Sequence, residues 1–224
     1  MDQLIAGYRR FRERTWPLER GRFEALSVHG QSPRAMVITC SDSRVDPQMI
    51  FGAVPGELFV VRNVASLVPP YEPDAAHHGT SAALEFGVRV LKISHLVVMG
   101  HGQCGGVRAL LEGTPPEASD FVGPWMSLAR KARDRVLSCE PAELRQQVCE
   151  QEVVKLSLAN LMTFPWVREA VEAGRLHLHG CHFAIYTGSL ALLDENGRFV
   201  PVDGVGDPAP DRPGQCGSPV SEGR

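Results

Sequence analysis

Two short stretches concentrate the reactive side chains of this chain: Cys40-Ser41-Asp42-Ser43-Arg44 and His101-Gly102-Gln103-Cys104-Gly105-Gly106. Thiolate sulfur and imidazole nitrogen are the usual ligands of zinc, and a catalytic zinc keeps three protein ligands and one open position. His101 and Cys104 lie about one turn apart, so both can reach one ion, and Cys40 would complete a Cys₂His set. A lone His-x-x-Cys carries little information. Its pairing with a cysteine at a second strand end, followed by Asp-x-Arg, carries much more. Two thiolates cancel the charge of the ion, so such a centre should acidify its water less than three neutral histidines do. Asp42 then gains a role as a carboxylate that accepts a hydrogen bond from the metal's hydroxide. The planar fork of Arg44 can hold Asp42 ionised and aimed. Without that grip, Asp42 could take the fourth position and close the metal.

These residues need a scaffold that brings them together. Met36-Val37-Ile38-Thr39 precedes the first stretch and Leu96-Val97-Val98-Met99 the second. Apolar runs rich in β-branched residues, closed by polar or Gly punctuation, read as buried parallel strands. Ligands of open α/β sheets collect beyond the carboxyl ends of such strands. Further strands are expected at 57–62, 176–185 and 190–193, the last joined through Gly188. Helices are expected from Leu4 to Trp16, stopped by Pro17, and from Leu18 to about Val28. Others should start at Asp46-Pro47, with Pro at the first helical position, after His77-His78, over 107–111, 121–138 and 141–162, and from Pro165 to Gly174. The fold class is thus α/β: a mostly parallel central sheet with one antiparallel edge strand, flanked by helices, with an N-terminal helical arm. The aromatic stripe of that arm (Tyr8, Phe11, Trp16) suits packing on its own domain and packing on a partner subunit equally well.

At 224 residues the chain fits one domain over 1–200, including the arm at 1–28, with a Pro/Gly-rich tail at 201–224 expected to be flexible. A hydrophobic share of 43% against 22% charged residues suits a globular core that needs no disulfide staples. A net charge of -3 leaves no electrostatic footprint for nucleic acid. No segment approaches the ~18 apolar residues of a membrane helix, and the N-terminus lacks a secretory apolar core. Six cysteines without a dense framework suit a reducing compartment, so a cytoplasmic location is expected. Cys139, Cys149 and Cys216 do not form a motif of metal-ligand spacing. His177, His179 and Cys181 alternate onto one face of a strand and invite a second-metal reading, which we set aside in favour of a structural role.

Cys-Ser-Asp-Ser-Arg-Val at 40–45, Pro-Gly-Glu-Leu-Phe-Val-Val-Arg-Asn-Val-Ala at 55–65 and His-Gly-Gln-Cys-Gly-Gly at 101–106 together resemble the β-class carbonic anhydrases. The match runs in order from about Gln31 to Leu111, and the segment 179–190 fits more loosely. The resemblance implies reversible hydration of carbon dioxide to bicarbonate and a proton, by attack of a zinc-bound hydroxide. It implies one Zn²⁺ per chain on Cys40, His101 and Cys104, the dyad Asp42–Arg44, and a homodimer or tetramer built through the N-terminal helices. Gln31 stands where the plant-like subclass has a substrate-orienting amide, and Phe59 and Val64 where it has apolar walls. Phe86 stands where that subclass often has Tyr. The backbone N–H of Gly105 is available to a developing oxyanion. In the bicarbonate-regulated subclass a Trp precedes the first cysteine by three residues, whereas here that residue is Val37. The presence of Gln31 and the absence of that Trp favour the open-site subclass. The proton shuttle is not legible; His77 and His78 titrate in the right range but read as surface residues at a helix start. Two other functions remain open at this level: hydrolysis of carbonyl sulfide or carbon disulfide by the same centre, and a non-enzymatic zinc-stabilised interaction protein. Arg44 argues against the second.

Overall fold

A computed structural model of the chain describes residues 1–74 and 76–204. Its centre is a six-stranded sheet in the order β2-β1-β3-β4-β5-β6. The strands are β1 (Ala35–Cys40), β2 (Leu58–Asn63), β3 (His95–His101), β4 (His177–Ala184), β5 (Ser189–Leu193) and β6 (Phe199–Pro201). β1 to β4 are parallel, while β5 runs antiparallel to β4 and to β6. The parallel core follows from its sequence: Met36, Val37, Ile38, Leu96, Val98 and Met99 are all buried, as expected for strands covered on both faces. β6 is a strand the sequence reading lacks. Three residues ending in Pro201 are too short for alternation to show, and β6 lies partly in the segment read as tail. Residues 205–224, most of that expected tail, lie outside the described residues.

The helices are α1 (Asp2–Arg10), α2 (Trp16–His29), α3 (Pro47–Ile50), α4 (Gly79–Glu85), α5 (Gly105–Glu112), α6 (Val122–Ser127), α7 (Arg130–Cys139), α8 (Arg145–Leu161) and α9 (Pro165–Glu172). Pro17 does not stop the first helix. A π-helical turn over Phe11–Thr15 leads into α2, with the Trp16 N–H bonded to the Phe11 carbonyl. The wider turn relieves the clash a proline makes with the preceding turn. The helix expected over 121–138 is two helices, because the chain leaves helical geometry at Ala129 (φ -97°, ψ 12°). Burial of Met126 and Ala129 and the bond from Trp125 Nε1–H to the Val64 carbonyl (2.8 Å) outweigh helical continuity there.

One buried cluster lies between the sheet and α4, α8 and α9, around Met36, Ile38, Leu96, Val98, Leu84, Val154 and Leu161. A second surrounds Cys40 and Cys104 with Ala65, Leu67, Val107, Leu110, Met126 and Val153. α8 approaches the sheet closely because β3 and β4 carry Gly100 and Gly180 beneath it. A Cβ at Gly100 would stand 2.6 Å from Val154 Cγ2, and one at Gly180 2.9 Å from Leu158 Cδ1. The arm is different: α1 and α2 hold no buried residue. Phe11, Trp16 and Phe23 pack on one another, with ring centroids 5.2–6.3 Å apart. Leu4, Leu18 and Val28 remain exposed.

Candidate metal centre

β1 and β3 end beside each other, and their last residues are Cys40 and His101. Gln103 then turns the chain with φ 58°, and Cys104 becomes the N-cap of α5. The sulfurs of Cys40 and Cys104 lie 3.9 Å apart. Cys40, His101 and Cys104 are all buried, with donor atoms within 4.8 Å of one another, and they form the only such group among the described residues. Two Zn–S bonds of about 2.3 Å at the tetrahedral angle would put the sulfurs about 3.8 Å apart. His101 Nδ1 lies 2.9 Å from the Gly102 carbonyl. That contact fixes the proton on Nδ1 and leaves Nε2 as a lone pair. Nε2 is buried and has no hydrogen-bond partner. A buried, unsatisfied nitrogen facing two thiols is what a thiophilic cation such as Zn²⁺ requires, so these residues fit the ion.

The electrostatics agree. One S–H···S contact joins the two thiols. The S–H of Cys104, followed by the nearby His101 ring and the amides of Asp42 and Ala65, lowers the Cys40 thiol to about 4 against the effect of its burial. The same contact, together with burial, pushes the Cys104 thiol up. Burial opposes charge on His101, but Cys40, the Gly102 carbonyl and Asp42 outweigh it and raise its pKa. A divalent cation would displace the protons that this cluster now shares.

Asp42 and Arg44 sit beside the cluster on the turn after β1. Arg44 Nε donates to Asp42 Oδ1 (2.9 Å) and Nη2 to Oδ2 (2.7 Å), while the Arg44 amide donates to Oδ1 (3.0 Å). A further bond from Arg44 Nη2 to the Gln103 carbonyl (3.0 Å) ties this turn to the second stretch. The Arg44 hydrogen bonds hold the Asp42 carboxyl well below the usual carboxylate range. Asp42 Oδ2 lies 4.0 Å from His101 Nε2. Arg62, at the end of β2, was not singled out from the sequence. It donates to the carbonyls of Cys40 (3.0 Å), Asp42 (2.6 Å) and Val45 (2.6 Å) and so holds the turn from outside.

The expected pocket residues separate into two groups. Val64 borders the cysteines: a Cβ on Gly106 would stand 2.7 Å from Val64 Cγ1, so that position requires glycine. Gly105 opens α5 with nothing within 4 Å of a Cβ placed there, and its N–H belongs to the unpaired first turn. The structure does not bring Gln31, Phe59 and Phe86 to their own chain's cluster. Gln31 is exposed in the coil before β1. Phe59 pairs with Met36, well upstream of the Cys40–Asn63 rung. Its ring packs on that of Phe86 at 6.0 Å, and Phe86 is partly exposed in a π-helical turn, Phe86–Val90.

A carbonic anhydrase family model matches residues 35–190. The chain is 31% identical over 207 residues to beta carbonic anhydrase 3 of Arabidopsis thaliana, covering 90% of this chain and 80% of that protein. It belongs to the β-class carbonic anhydrases. The solved structure of the β-carbonic anhydrase CcaA superposes with a TM-score of 0.83 at 37% identity, covering 90% of this chain and 98% of that one. A tetrameric β-carbonic anhydrase from Sordaria macrospora gives a TM-score of 0.68 at 29% identity, over 86% and 92% of the two chains. Carbonate dehydratase activity follows from this membership. None of the helices among the described residues is long and apolar enough to cross a membrane.

Sequence reasoning also missed a polar group behind Cys104: the buried Glu150 on α8 and His182 on β4, with the half-buried Gln146 on α8. Gln146 and Glu150 stand one turn apart on one helix face, which was a readable signal. Nothing in the sequence said that this face meets the metal loop.

Proposed function

We propose that this carbonic anhydrase hydrates carbon dioxide at one zinc ion held by Cys40, His101 and Cys104, in the arrangement that leaves the fourth position open. The observation that carries the open reading is the two-pronged Arg44–Asp42 pair, which occupies both carboxylate oxygens at 4.0 Å from His101 Nε2. Zinc bound there would supply Lewis acidity that lowers the pKa of a water, though less than a centre of three neutral histidines does. The chain's own groups do the rest. Asp42 Oδ2 accepts a hydrogen bond from the nucleophilic water and holds its remaining lone pair toward the carbon of CO₂. Arg44 keeps that carboxylate ionised, so it does not take a proton, and by gripping both oxygens it keeps Asp42 from turning to the metal. The Gly105 N–H meets the oxygen that gains charge, and Val64 is an apolar wall for an apolar substrate. Bicarbonate leaves, and a proton passes to buffer.

The oligomer is part of this reading. An arm without buried residues, with Leu4 at 74%, Leu18 at 84% and Val28 at 76% exposure, supports a homodimer or tetramer in which arms lie on neighbouring copies. Gln31, Phe59 and Phe86, distant from their own cluster, then serve the pocket of a neighbouring protomer. Stopped-flow CO₂ hydration with metal analysis of the same sample tests the proposal. Fast hydration with about one zinc per chain is expected; zinc without hydration at alkaline pH would overturn the open reading.

A further inference from the structure

We infer that Glu150 is the positioning residue of the Cys104 ligand, locked in place by Gln146 and His182. The inference rests on the reading of Cys104 as a zinc ligand. Glu150 is 3% exposed and His182 6% exposed. Glu150 Oε1 accepts the Cys104 N–H (3.0 Å). Gln146 Nε2 donates to that same oxygen (2.7 Å) and to the Cys104 carbonyl (3.1 Å). Helix α8 therefore grips Cys104 by both its backbone N–H and its backbone carbonyl. Glu150 Oε2, the other oxygen, meets His182 Nε2 at 3.1 Å.

Burying a carboxylate is strongly unfavourable unless it is fully paired, and every contact of this one points at the metal loop or at the groups that orient it. The consequence is geometric. Cys104 is the N-cap of α5 (φ -67°, ψ 120°), so its position is tied to the start of that helix. Its side chain therefore follows wherever the Cys104 backbone is fixed. Gln103 just before it sits at φ 58°, a left-handed conformation uncommon for a residue other than glycine. The bonds from Glu150 and Gln146 hold the Cys104 backbone where the sulfurs stand 3.9 Å apart. Gly100 gives the helix room, since a Cβ there would stand 2.6 Å from Val154 Cγ2 and 3.6 Å from the Glu150 carbonyl.

The test is zinc dissociation into excess chelator, followed on wild-type protein, Glu150→Ala, Glu150→Gln, His182→Phe and the core control Val154→Ala, with thermal midpoints recorded for each. Glu150→Ala should release zinc about 10- to 100-fold faster, the usual effect of losing an outer-shell partner. Glu150→Gln should recover most of the retention, because an amide oxygen still accepts the Cys104 N–H. His182→Phe should fall between them. Val154→Ala should lower the thermal midpoint while leaving zinc release within about twofold of wild type, which a merely structural role for Glu150 would not separate. Glu150→Ala releasing zinc no faster than Val154→Ala would overturn the inference. A wild-type chain that binds no zinc would overturn the ligand reading itself, and CO₂ turnover enters neither outcome.

Discussion

Strands β3 and β4 carry histidines at both ends, and the two ends behave differently. At the carboxyl ends, His101 and His182 are buried, and each points at a committed partner: the two cysteines for His101, Glu150 for His182. At the amino ends, His95, His177 and His179 crowd together in solvent. His95 Nδ1 lies 3.1 Å from His179 Nε2, and the His95 ring stacks on that of His177 at 5.5 Å. Both ends therefore gather ligand-type side chains. Only the first gathers a lone pair that nothing in the protein satisfies, together with thiols that share protons. At the other end each ring nitrogen can turn to water. Cys181, which the alternation aligned with His177 and His179, is fully buried and its thiol is pushed up to about 12 by burial, so it acts as a core residue. Proximity of ligand types does not make a metal centre; burial that strips alternatives from the donors does.

The largest effect that would break this contrast comes from the ligands. Cys104→Ser should bring zinc from about one per chain to below about a tenth, and abolish hydration. His177→Ala should leave both unchanged. Metal analysis of the two variants side by side checks this, and zinc lost from His177→Ala would place a metal at the wrong end. Next comes Asp42→Asn, which should retain zinc while hydration falls about 10²- to 10⁴-fold; full activity with zinc retained would remove Asp42 from the mechanism.

Arg44→Ala should lower hydration about 10- to 100-fold, by the scale of outer-shell losses, and let Asp42 move to the fourth metal position. A crystal structure showing water still bound at neutral pH would count against that switch. In the wild type, hydration should rise from pH 6 toward pH 9. Asp42 takes no part in that rise, because Arg44 holds it ionised far below this range. A flat profile would contradict a centre whose charge two thiolates have already cancelled.

The smallest effect sharpens the other end. Burial, then the fields of His95 and His177, depress the pKa of His179. The unfolded chain, with histidine near its ordinary value of about 6.5, therefore binds protons more readily than the folded one. Stability should fall as pH drops below about 6.5 and stop falling below the depressed value. His179→Gln removes that penalty. It should raise the thermal midpoint by about 1–3 °C at pH 5 and leave it unchanged at pH 8. An equal change at both pH values would show that packing, not protonation, is the cause.

The centre was legible because local spacing carries it. Cys40, Asp42 and Arg44 follow one buried strand and His101 and Cys104 another, and parallel strands bring such ends together whatever the rest of the chain does. The parallel core was legible for the same reason, since Met36–Thr39 and Leu96–Met99 have no other place to be buried. The failures were local rules overridden by packing. Pro17 was absorbed by a π turn, a helix broke at Ala129 to bury Met126 near the cysteines, and the three residues of β6 showed no period.

The sequence by itself thus made the donor set, the dyad and the sheet that aligns them legible, since each is marked by a short local pattern at the end of an apolar strand. Only the tertiary structure decided what stands behind the centre. Arg62 reaches the turn carbonyls through the pairing of β2 with β1, while Glu150 and Gln146 reach the Cys104 backbone, and His182 reaches Glu150, through the approach of α8 to Gly100 and Gly180. Such contacts leave no period or spacing to read, because the distance that matters is through space and is set by the packing of one helix on one sheet.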